Sequence, residues 1–192
     1  MKKDYWDFTK QEPFVEIAAR YMSSHGKALD IGCGDGRNAI YLAREGFTVC
    51  AVDVDADKFS LIHSYNLDHS PKISTAVSDI LAFTSDEQYD LIVCDMVLHF
   101  LTTSLEVDDA ICILKNMTAR GGIHAISAYT DKNAIGKRPY LFMPNELRDC
   151  YEGWEILQYN EVPTKWFLMP GEDTPRRNEA VYLIARKKYN SK

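Results

Sequence analysis

The stretch that decides the fold is "ALDIGCGDGRNAIYLAREG", residues 28–46. It places Gly32, Gly34 and Gly36 within five residues, directly after a short apolar run. Glycine adopts backbone conformations that other residues avoid, and it lets a ligand approach the main chain closely. The apolar run predicts a buried strand, the residues after the glycines predict a helix, and Gly46 stands where a helix commonly ends. We therefore expect a strand, a ligand-binding turn and a helix in succession.

The spacing of these glycines separates several kinds of ligand. A dinucleotide-binding turn has the pattern G-x-G-x-x-G, whose third glycine lets the following helix pack closely. Here the third glycine comes one position early, and Arg37 occupies the place that it would fill. The phosphate-binding pattern G-x-x-x-x-G-K-[ST] is missing from the sequence as well. The turn therefore disfavours NAD and a nucleotide phosphate as its ligand.

Strands and helices are expected to alternate along the rest of the chain. The apolar periodicity predicts helices over 12–22, 37–46, 56–70, 106–117 and 145–153, and strands over 27–32, 47–54, 73–79, within 89–101, and over 123–129, 154–162 and 179–188. Such alternation predicts a parallel sheet with helices on both faces, which is a three-layer α/β sandwich. The last two strands have no helix between them, so they should form an antiparallel hairpin at one end of the sheet.

An acidic residue accompanies each of the first three predicted strands. Asp30 stands two positions before Gly32, Asp53 ends the next strand about 20 residues further on, and Asp79 ends the third. Ligands of open parallel sheets bind at the carboxyl ends of the strands, where an acid at this distance accepts hydrogen bonds from ribose hydroxyls. Asp79 is placed to meet the exocyclic amine of adenine. The ordered set suits a ligand with ribose, adenine and an amino group, and it would repel a pyrophosphate.

Composition and charge narrow the class of protein. The 192 residues suit one domain with a substantial core, and 46% of them are hydrophobic. A formal net charge of −6 disfavours a nucleic-acid partner, because such a partner requires a basic surface. No apolar run approaches the length of a membrane span, and no signal peptide is visible at the start. We expect a cytoplasmic protein without a membrane partner.

Cysteines and histidines give no sign of a metal site. The five cysteines are scattered without a C-x-x-C pair, which favours reduced thiols over a disulfide framework or zinc. Four of the histidines show no spacing typical of metal ligands, namely His25, His63, His69 and His124. The sequence therefore predicts no bound metal.

Three short motifs resemble those of a large enzyme class. "LDIGCGDGRN", "VDVD" and "SDI" are similar to the cofactor motifs of class I (Rossmann-like) S-adenosylmethionine-dependent methyltransferases. "RGG" at 120–122 is similar to the Lys/Arg-Pro-Gly-Gly turn that precedes their fifth strand. The resemblance implies one methyltransferase domain over 1–192, with a seven-stranded, mostly parallel sheet whose last strand is antiparallel. It also implies S-adenosylmethionine as cofactor and S-adenosylhomocysteine as product.

The same resemblance implies positions around the cofactor. Backbone at Gly32, Cys33 and Gly34 would lie along the methionine part, and Asp53 would hold the ribose. Val54, Asp79 and Ile80 would surround the adenine, and Cys94 would lie near the methionine amino group. The full set of cofactor-binding candidates comprises Asp30, Gly32, Cys33, Gly34, Arg37, Asn38, Asp53, Val54, Asp79, Ile80 and Cys94.

A narrower resemblance covers most of the chain. "GRNAIYLAREGFTVCAVD", "MVLHFL", "LFMPNELRDCYEGWEILQYNE" and the terminal "ARKK" are similar to the tellurite-resistance methyltransferases, the TehB family. Its members methylate tellurite and selenite oxyanions. They carry a His-Arg pair in the loop between the last two strands, where this sequence has Phe167 and Leu168. Lys165, Arg176 and Arg177 lie nearby in the sequence but out of register with that pair.

The acceptor side of the site has weaker sequence signals. His99 follows the fourth strand, where it is either a general base or a packed histidine. Aromatic and basic residues of three irregular segments are expected to form a substrate site or lid, with plain core packing as the alternative: Trp6, Tyr140, Phe142, Trp166 and Arg177. A small-molecule acceptor is expected, with a soft nucleophile (tellurite, selenite or a thiol) leading. One alternative is a small carboxylate or hydroxyl acceptor, and another is a non-catalytic protein that binds the cofactor. The protein is expected to be a monomer or a homodimer.

Overall fold

The structure is a computed structural model that describes residues 10–70, 73–132, 138–166, 173–175 and 177–189. Its strands are β1 (Lys27–Ile31), β2 (Thr48–Asp53), β3 (Ser74–Val77), β4 (Tyr89–Asp95), β5 (Thr118–Tyr129), β6 (Glu155–Pro163) and β7 (Glu179–Arg186). Its α-helices are α1 (Pro13–Arg20), α2 (Arg37–Arg44), α3 (Ser60–Asp68), α4 (Ser104–Asn116) and α5 (Glu146–Asp149). Two 3-10 turns cover Ala56–Phe59 and Leu98–Phe100.

The strands form one sheet in the order β3-β2-β1-β4-β5-β7-β6. All neighbouring pairs from β3 to β5 are parallel, whereas β7 is antiparallel to both β5 and β6. The predicted α/β fold, with seven strands and an antiparallel hairpin at one end, is therefore confirmed. From β1 the chain adds strands first on one side (β2 and β3) and then on the other (β4 and β5), so the strand order reverses between β1 and β4. Ligands bind at such a reversal in open α/β sheets.

The sheet separates two apolar cores. Leu29 and Ile31 of β1 pack on the face covered by α4 and α5, together with Leu114. Ala28 points to the opposite face, where Leu42 and other residues of α1, α2 and α3 cover the sheet. Successive residues of a strand point to opposite faces, so a strand covered on both sides is apolar throughout. This arrangement explains why β1 is apolar at Ala28, Leu29 and Ile31, with Asp30 as a buried polar residue between them.

The "RGG" segment lies inside a strand, which corrects the turn expected before the fifth strand. Pairing between β4 and β5 passes from Tyr89 opposite Thr118 directly to Leu91 opposite Ile123, so the residues between bulge outward. Gly121 takes a φ of +75° there, which glycine adopts without a Cβ penalty. β5 therefore begins at Thr118, before the glycines.

The bounds of two predicted helices can be compared with the structure. Gly46 follows α2 with a φ of +96° and donates its N–H to the carbonyl of Ala43 at 3.0 Å, as predicted for a helix end. The single helix expected over 56–70 is divided instead into a 3-10 turn and α3.

Within the described ranges, no helix combines the length and apolar character needed to cross a membrane.

Candidate active site

The three glycines of the turn after β1 have different surroundings. All three have positive φ, of 70° at Gly32, 54° at Gly34 and 86° at Gly36. A Cβ on Gly32 would lie 2.2 Å from a methyl group of Val97, and a Cβ on Gly36 would lie 2.4 Å from Ile62. A Cβ on Gly34 would meet nothing within 4 Å. Two of the glycines therefore permit packing, whereas Gly34 faces open space where a ligand could lie.

A cavity of about 360 Å³ lies at the carboxyl ends of β1, β2, β3 and β4. Its lining comprises Ile31, Gly32, Gly34, Asp53, Val54, Ser78, Asp79, Ile80, Met96, Val97, Phe100 and Leu101. Six of the predicted cofactor residues meet here, contributed by three different strand ends. The rest of the lining is mostly apolar and comes from the segment after β4. We name this space the first cavity.

Backbone amides fix the two carboxylates of the first cavity. One oxygen of Asp53 accepts the N–H of Gly34 at 2.8 Å, and the other accepts the N–H of Asp55 at 3.0 Å. Asp79 accepts the N–H of Leu81 at 2.8 Å. Each carboxylate is thus oriented by its own loop and keeps lone pairs for a ligand.

A second cavity, of about 210 Å³, adjoins the first. It shares Gly32 and Gly34 with the first cavity and is also lined by Cys33, Asp35, Arg37, Asn38 and Asp95. Three predicted cofactor residues, Cys33, Arg37 and Asn38, therefore lie here. The two cavities therefore meet at the glycine turn, and we refer to them together as the groove.

A buried polar network closes the far end of the second cavity. Arg37 donates from one guanidinium nitrogen to Glu12 and to Asp95, both at 3.1 Å. Asn38 donates to Asp95 at 3.2 Å and accepts the backbone N–H of Glu12 at 3.0 Å. Ser127 donates to the other oxygen of Asp95 at 2.5 Å. Sequence reasoning missed Glu12, Asp95 and Ser127, because they come from three distant parts of the chain.

Asp30 and Cys94 line neither cavity, although both were predicted to bind the cofactor. Asp30 is 1% exposed, and burial, followed by the nearby charge of Asp95, raises its pKa to about 7. Cys94 is fully buried in the core between β4 and α4, and burial raises the pKa of its thiol. Strand alternation turns the Cys94 side chain into the core and turns Asp95 towards the groove, so the prediction that Cys94 lies near the methionine amino group concerns its backbone.

Met96 has an unusual backbone conformation beside the groove. Its φ is +58°, a left-handed value that costs a residue with a Cβ roughly 1–2 kcal/mol. Its N–H donates to both the carbonyl and the hydroxyl of Ser127, each at 3.0 Å. Strained backbone of this kind concentrates at functional sites. No sequence signal marks this residue.

His99 lies beside the first cavity without lining it. Its side chain is 1% exposed and contacts the rings of Phe100 and Tyr129, with centroid distances of 4.4 and 4.5 Å. Burial, followed by the positive charge of Arg138, lowers the pKa of His99 to about 3. Its Nδ1 is buried and has no hydrogen-bond partner. The imidazole is therefore neutral at physiological pH.

The residues predicted as a lid occupy different environments. Phe142 is fully buried and its N–H donates to the carbonyl of Tyr129 at 3.1 Å, which favours the alternative of core packing for this residue. Tyr140 is half-buried and donates from its hydroxyl to Glu146. The guanidinium of Arg177 lies 5.0 Å from the ring centre of Trp166. Trp6 lies outside the described ranges, and so do Phe167, Leu168 and Arg176 of the segment compared with the family's His-Arg pair.

Comparison with known proteins identifies the family. The family model for the tellurite resistance protein TehB matches residues 2–166. The "Probable S-adenosyl-L-methionine-dependent methyltransferase TehB" of Haemophilus influenzae Rd is 35% identical over 148 residues, which cover 76% of this chain and 51% of the relative. Its counterpart from strain 10810 is also 35% identical, over 83% of this chain and 58% of the relative. The chain thus spans about half the length of the curated relatives that it matches.

Solved structures agree with this assignment. The crystal structure of TehB from Haemophilus influenzae superposes with a TM-score of 0.83 at 30% identity, over 93% of this chain and 63% of that one. The N-methyltransferase NodS from Bradyrhizobium japonicum, in complex with S-adenosylhomocysteine, shares the fold with a TM-score of 0.71 at 19% identity, over 92% of this chain and 84% of that one. The family model spans most of the chain, and the matched residues include every quoted motif except the terminal "ARKK". The chain belongs to the TehB family.

Proposed function

We propose that this protein is an S-adenosylmethionine-dependent methyltransferase that acts on a small-molecule acceptor, and that it does so as a single domain. The observation that carries the proposal is the pair of adjoining cavities at the glycine turn, with Asp53 and Asp79 lining one and Asp95 lining the other. The names of the Haemophilus relatives support the same activity. A soft nucleophile, such as tellurite, selenite or a thiol, is the leading acceptor class.

The residues of the groove fit the chemical parts of this cofactor. Asp53 supplies a fixed carboxylate for the two ribose hydroxyls, and Asp79 supplies one for the adenine amine. Asp95 offers its carboxylate to the methionine ammonium group, while its bonds with Arg37 and Ser127 keep it in place. The open space at Gly34 allows a ligand to lie directly on the backbone.

The chain's own residues contribute mainly position and exclusion of water. When bound, S-adenosylmethionine supplies an activated methyl group on a sulfonium. Met96, Val97 and Leu101 form an apolar wall that keeps water from this region. Bringing an anionic nucleophile to a sulfonium cancels charge, so a dry site favours the transfer and an ionised acceptor needs no general base.

A specific observation also supports a hydroxyl acceptor. The buried Nδ1 of His99 has no partner and the imidazole is neutral. Such a nitrogen can accept a proton from a hydroxyl group, although the low pKa of His99 makes it a weak base. The hydroxyl or carboxylate acceptor therefore stays the second candidate.

Replacement of Asp53 tests the cofactor assignment. Asp53→Asn should weaken the binding of S-adenosylmethionine about 10- to 100-fold, because a charge-assisted hydrogen bond to the ribose is lost. Isothermal titration calorimetry measures the affinity. Asp55→Asn is the matched control, because Asp55 lies two residues away, is exposed and caps the 3-10 turn rather than lining the groove. Equal losses in both variants, or tighter binding of NAD than of S-adenosylmethionine, would contradict the proposal.

Turnover identifies the acceptor class. Release of S-adenosylhomocysteine should be measured with tellurite, selenite, small thiols, small hydroxy compounds and small carboxylic acids. Product with thiols or oxyanions supports the leading class, and product with hydroxyl or carboxylate compounds supports the second. Cofactor binding without any release across the panel would indicate a non-catalytic binding protein.

A further inference from the structure

Arg138 is a positive charge without a carboxylate partner. Its guanidinium lies over two aromatic rings, 5.6 Å from the centre of Phe100 and 5.3 Å from the centre of Tyr129. Its Nε is buried without a hydrogen-bond partner, and among the described residues no carboxylate forms an ion pair with it. Burying a cationic group is costly unless it is paired, and aromatic faces offset only part of this cost.

His99 is a second unsatisfied group on the same two rings. Its ring contacts Phe100 and Tyr129, which are also the rings beneath Arg138. His99 is 1% exposed and its Nδ1 has no partner. An unsatisfied buried polar atom is unusual in a folded protein, and within the part of the chain that the structure describes two such atoms share one pair of rings, which makes this place a candidate ligand site.

This pair of groups adjoins the first cavity. Phe100 and Leu101, which directly follow His99, are part of the lining of that cavity. The backbone carbonyl of His99 accepts the N–H of Tyr140 at 3.3 Å, which ties the segment after β5 to the 3-10 turn. A molecule held by Arg138 would therefore lie next to the groove assigned to the cofactor.

The surroundings specify the chemistry of that molecule. A guanidinium presents a planar fork of N–H donors that matches the two oxygens of a carboxylate. Because burial and the charge of Arg138 keep His99 neutral, Arg138 supplies positive charge to the subsite and His99 does not. Its walls are the apolar faces of Phe100 and Tyr129, which suit an organic anion better than a strongly hydrated inorganic one.

We infer that Arg138 and His99 form the acceptor subsite, and that the acceptor is a small organic acid whose carboxylate binds Arg138. The inference rests on the proposed function, since it places this acid beside the methyl donor. It accommodates a thiol-bearing acid, in which the carboxylate anchors the molecule and the thiol is the nucleophile. Arg138 is then a residue that determines specificity.

Calorimetry on protein saturated with S-adenosylhomocysteine tests the inference. Benzoate is the probe, benzamide is its neutral isostere, and selenite is the inorganic oxyanion. We expect benzoate to bind, and benzamide and selenite to bind about 10-fold more weakly or not at all. Arg138→Met should weaken benzoate binding about 10- to 100-fold, and Arg138→Lys should restore part of it.

Controls separate the inference from loss of folding and from the proposed function. Arg120→Met makes the same change at an exposed position near the opposite end of β5, and it should leave benzoate binding unchanged. Unchanged affinity for S-adenosylhomocysteine shows that an Arg138 variant is folded. Equal benzoate affinity in wild type and Arg138→Met, or selenite binding in preference to benzoate, overturns the inference. If the wild-type protein binds S-adenosylhomocysteine but not benzoate, only the inference fails. If it binds neither, the proposed function fails too.

Discussion

Gly34 and Gly36 share one turn but serve different purposes. Both have positive φ, yet the space beside Gly34 is open, whereas the space beside Gly36 is filled by Ile62. Gly34 keeps the backbone accessible to a ligand, and Gly36 allows α3 to pack against the turn. The pattern of glycines therefore encodes binding and packing together.

Alanine at each position should separate these two effects. Gly34→Ala should cost about 1–2 kcal/mol of unfolding free energy, from left-handed backbone alone, but weaken S-adenosylhomocysteine binding about tenfold or more. Gly36→Ala should cost about 2–5 kcal/mol, because its Cβ also collides with Ile62. Urea denaturation gives the stability, and calorimetry gives the affinity. A larger loss of stability in Gly34→Ala than in Gly36→Ala would contradict this division.

At the scale of elements, the segment between β4 and α4 is held by a capping box. Thr103 accepts the N–H of Glu106 at 3.2 Å, and the carboxylate of Glu106 accepts the N–H of Thr103 at 3.3 Å. Glu106 also accepts the N–H and hydroxyl of Thr102, and these hydrogen bonds lower the pKa of its carboxyl group. The cap fixes the start of α4 directly after the turn that carries His99 and Phe100.

Removal of the cap should destabilise this segment. Thr103→Ala should lower the unfolding free energy by about 1 kcal/mol, because the N–H of Glu106 loses its acceptor. Ser104→Ala is the control, since Ser104 is the first exposed residue of α4 and follows the cap. Thermal or urea denaturation measures both. Similar stability of the two variants would show that the cap contributes little.

For the whole molecule, three buried groups couple folding to pH. Burial is the main cause in each case: it raises the pKa of Asp30 to about 7 and lowers the pKa values of His99 and His124 to about 3. Each group is therefore held neutral in the folded chain near pH 6. The histidines bind protons more readily in the unfolded chain than in the folded one. The unfolding free energy therefore decreases as pH falls from 6.5 towards 3. Asp30 has the opposite effect: its raised pKa makes the unfolding free energy decrease as pH rises.

Asp30→Asn should isolate that opposite contribution. Between pH 4 and 7 the folded state holds a proton on Asp30 that the unfolded state releases, so wild type loses stability as pH rises through this window. The unfolding free energy of the variant relative to wild type should rise by up to about 4 kcal/mol from pH 4 to 8. Urea denaturation at several pH values measures it. Asp35→Asn, at an exposed position in the same turn, is the control, and a flat difference for Asp30→Asn would contradict the prediction.

The sequence by itself determined the fold and half of the residues that line the first cavity. Strand and helix patterns depend on residues close along the chain, so the sheet, the hairpin and the helix end at Gly46 were predicted correctly. Asp53 and Asp79 follow strands whose carboxyl ends meet, so parallel topology was enough to bring them together. The bulge at Gly121 was missed, because a Gly-Gly pair fits a turn and a bulged strand equally well.

Only the tertiary structure decided how distant residues meet. Asp95 bonds to Arg37 and Ser127, and Arg37 also bonds to Glu12. No local pattern encodes these contacts, because the residues are far apart along the chain. Strand alternation then turned Cys94 into the core, while packing buried Phe142. The stacking of Arg138 over Phe100 and Tyr129 likewise arises from folding. Short-range patterns specify elements, whereas side-chain partners across the sheet depend on how those elements pack.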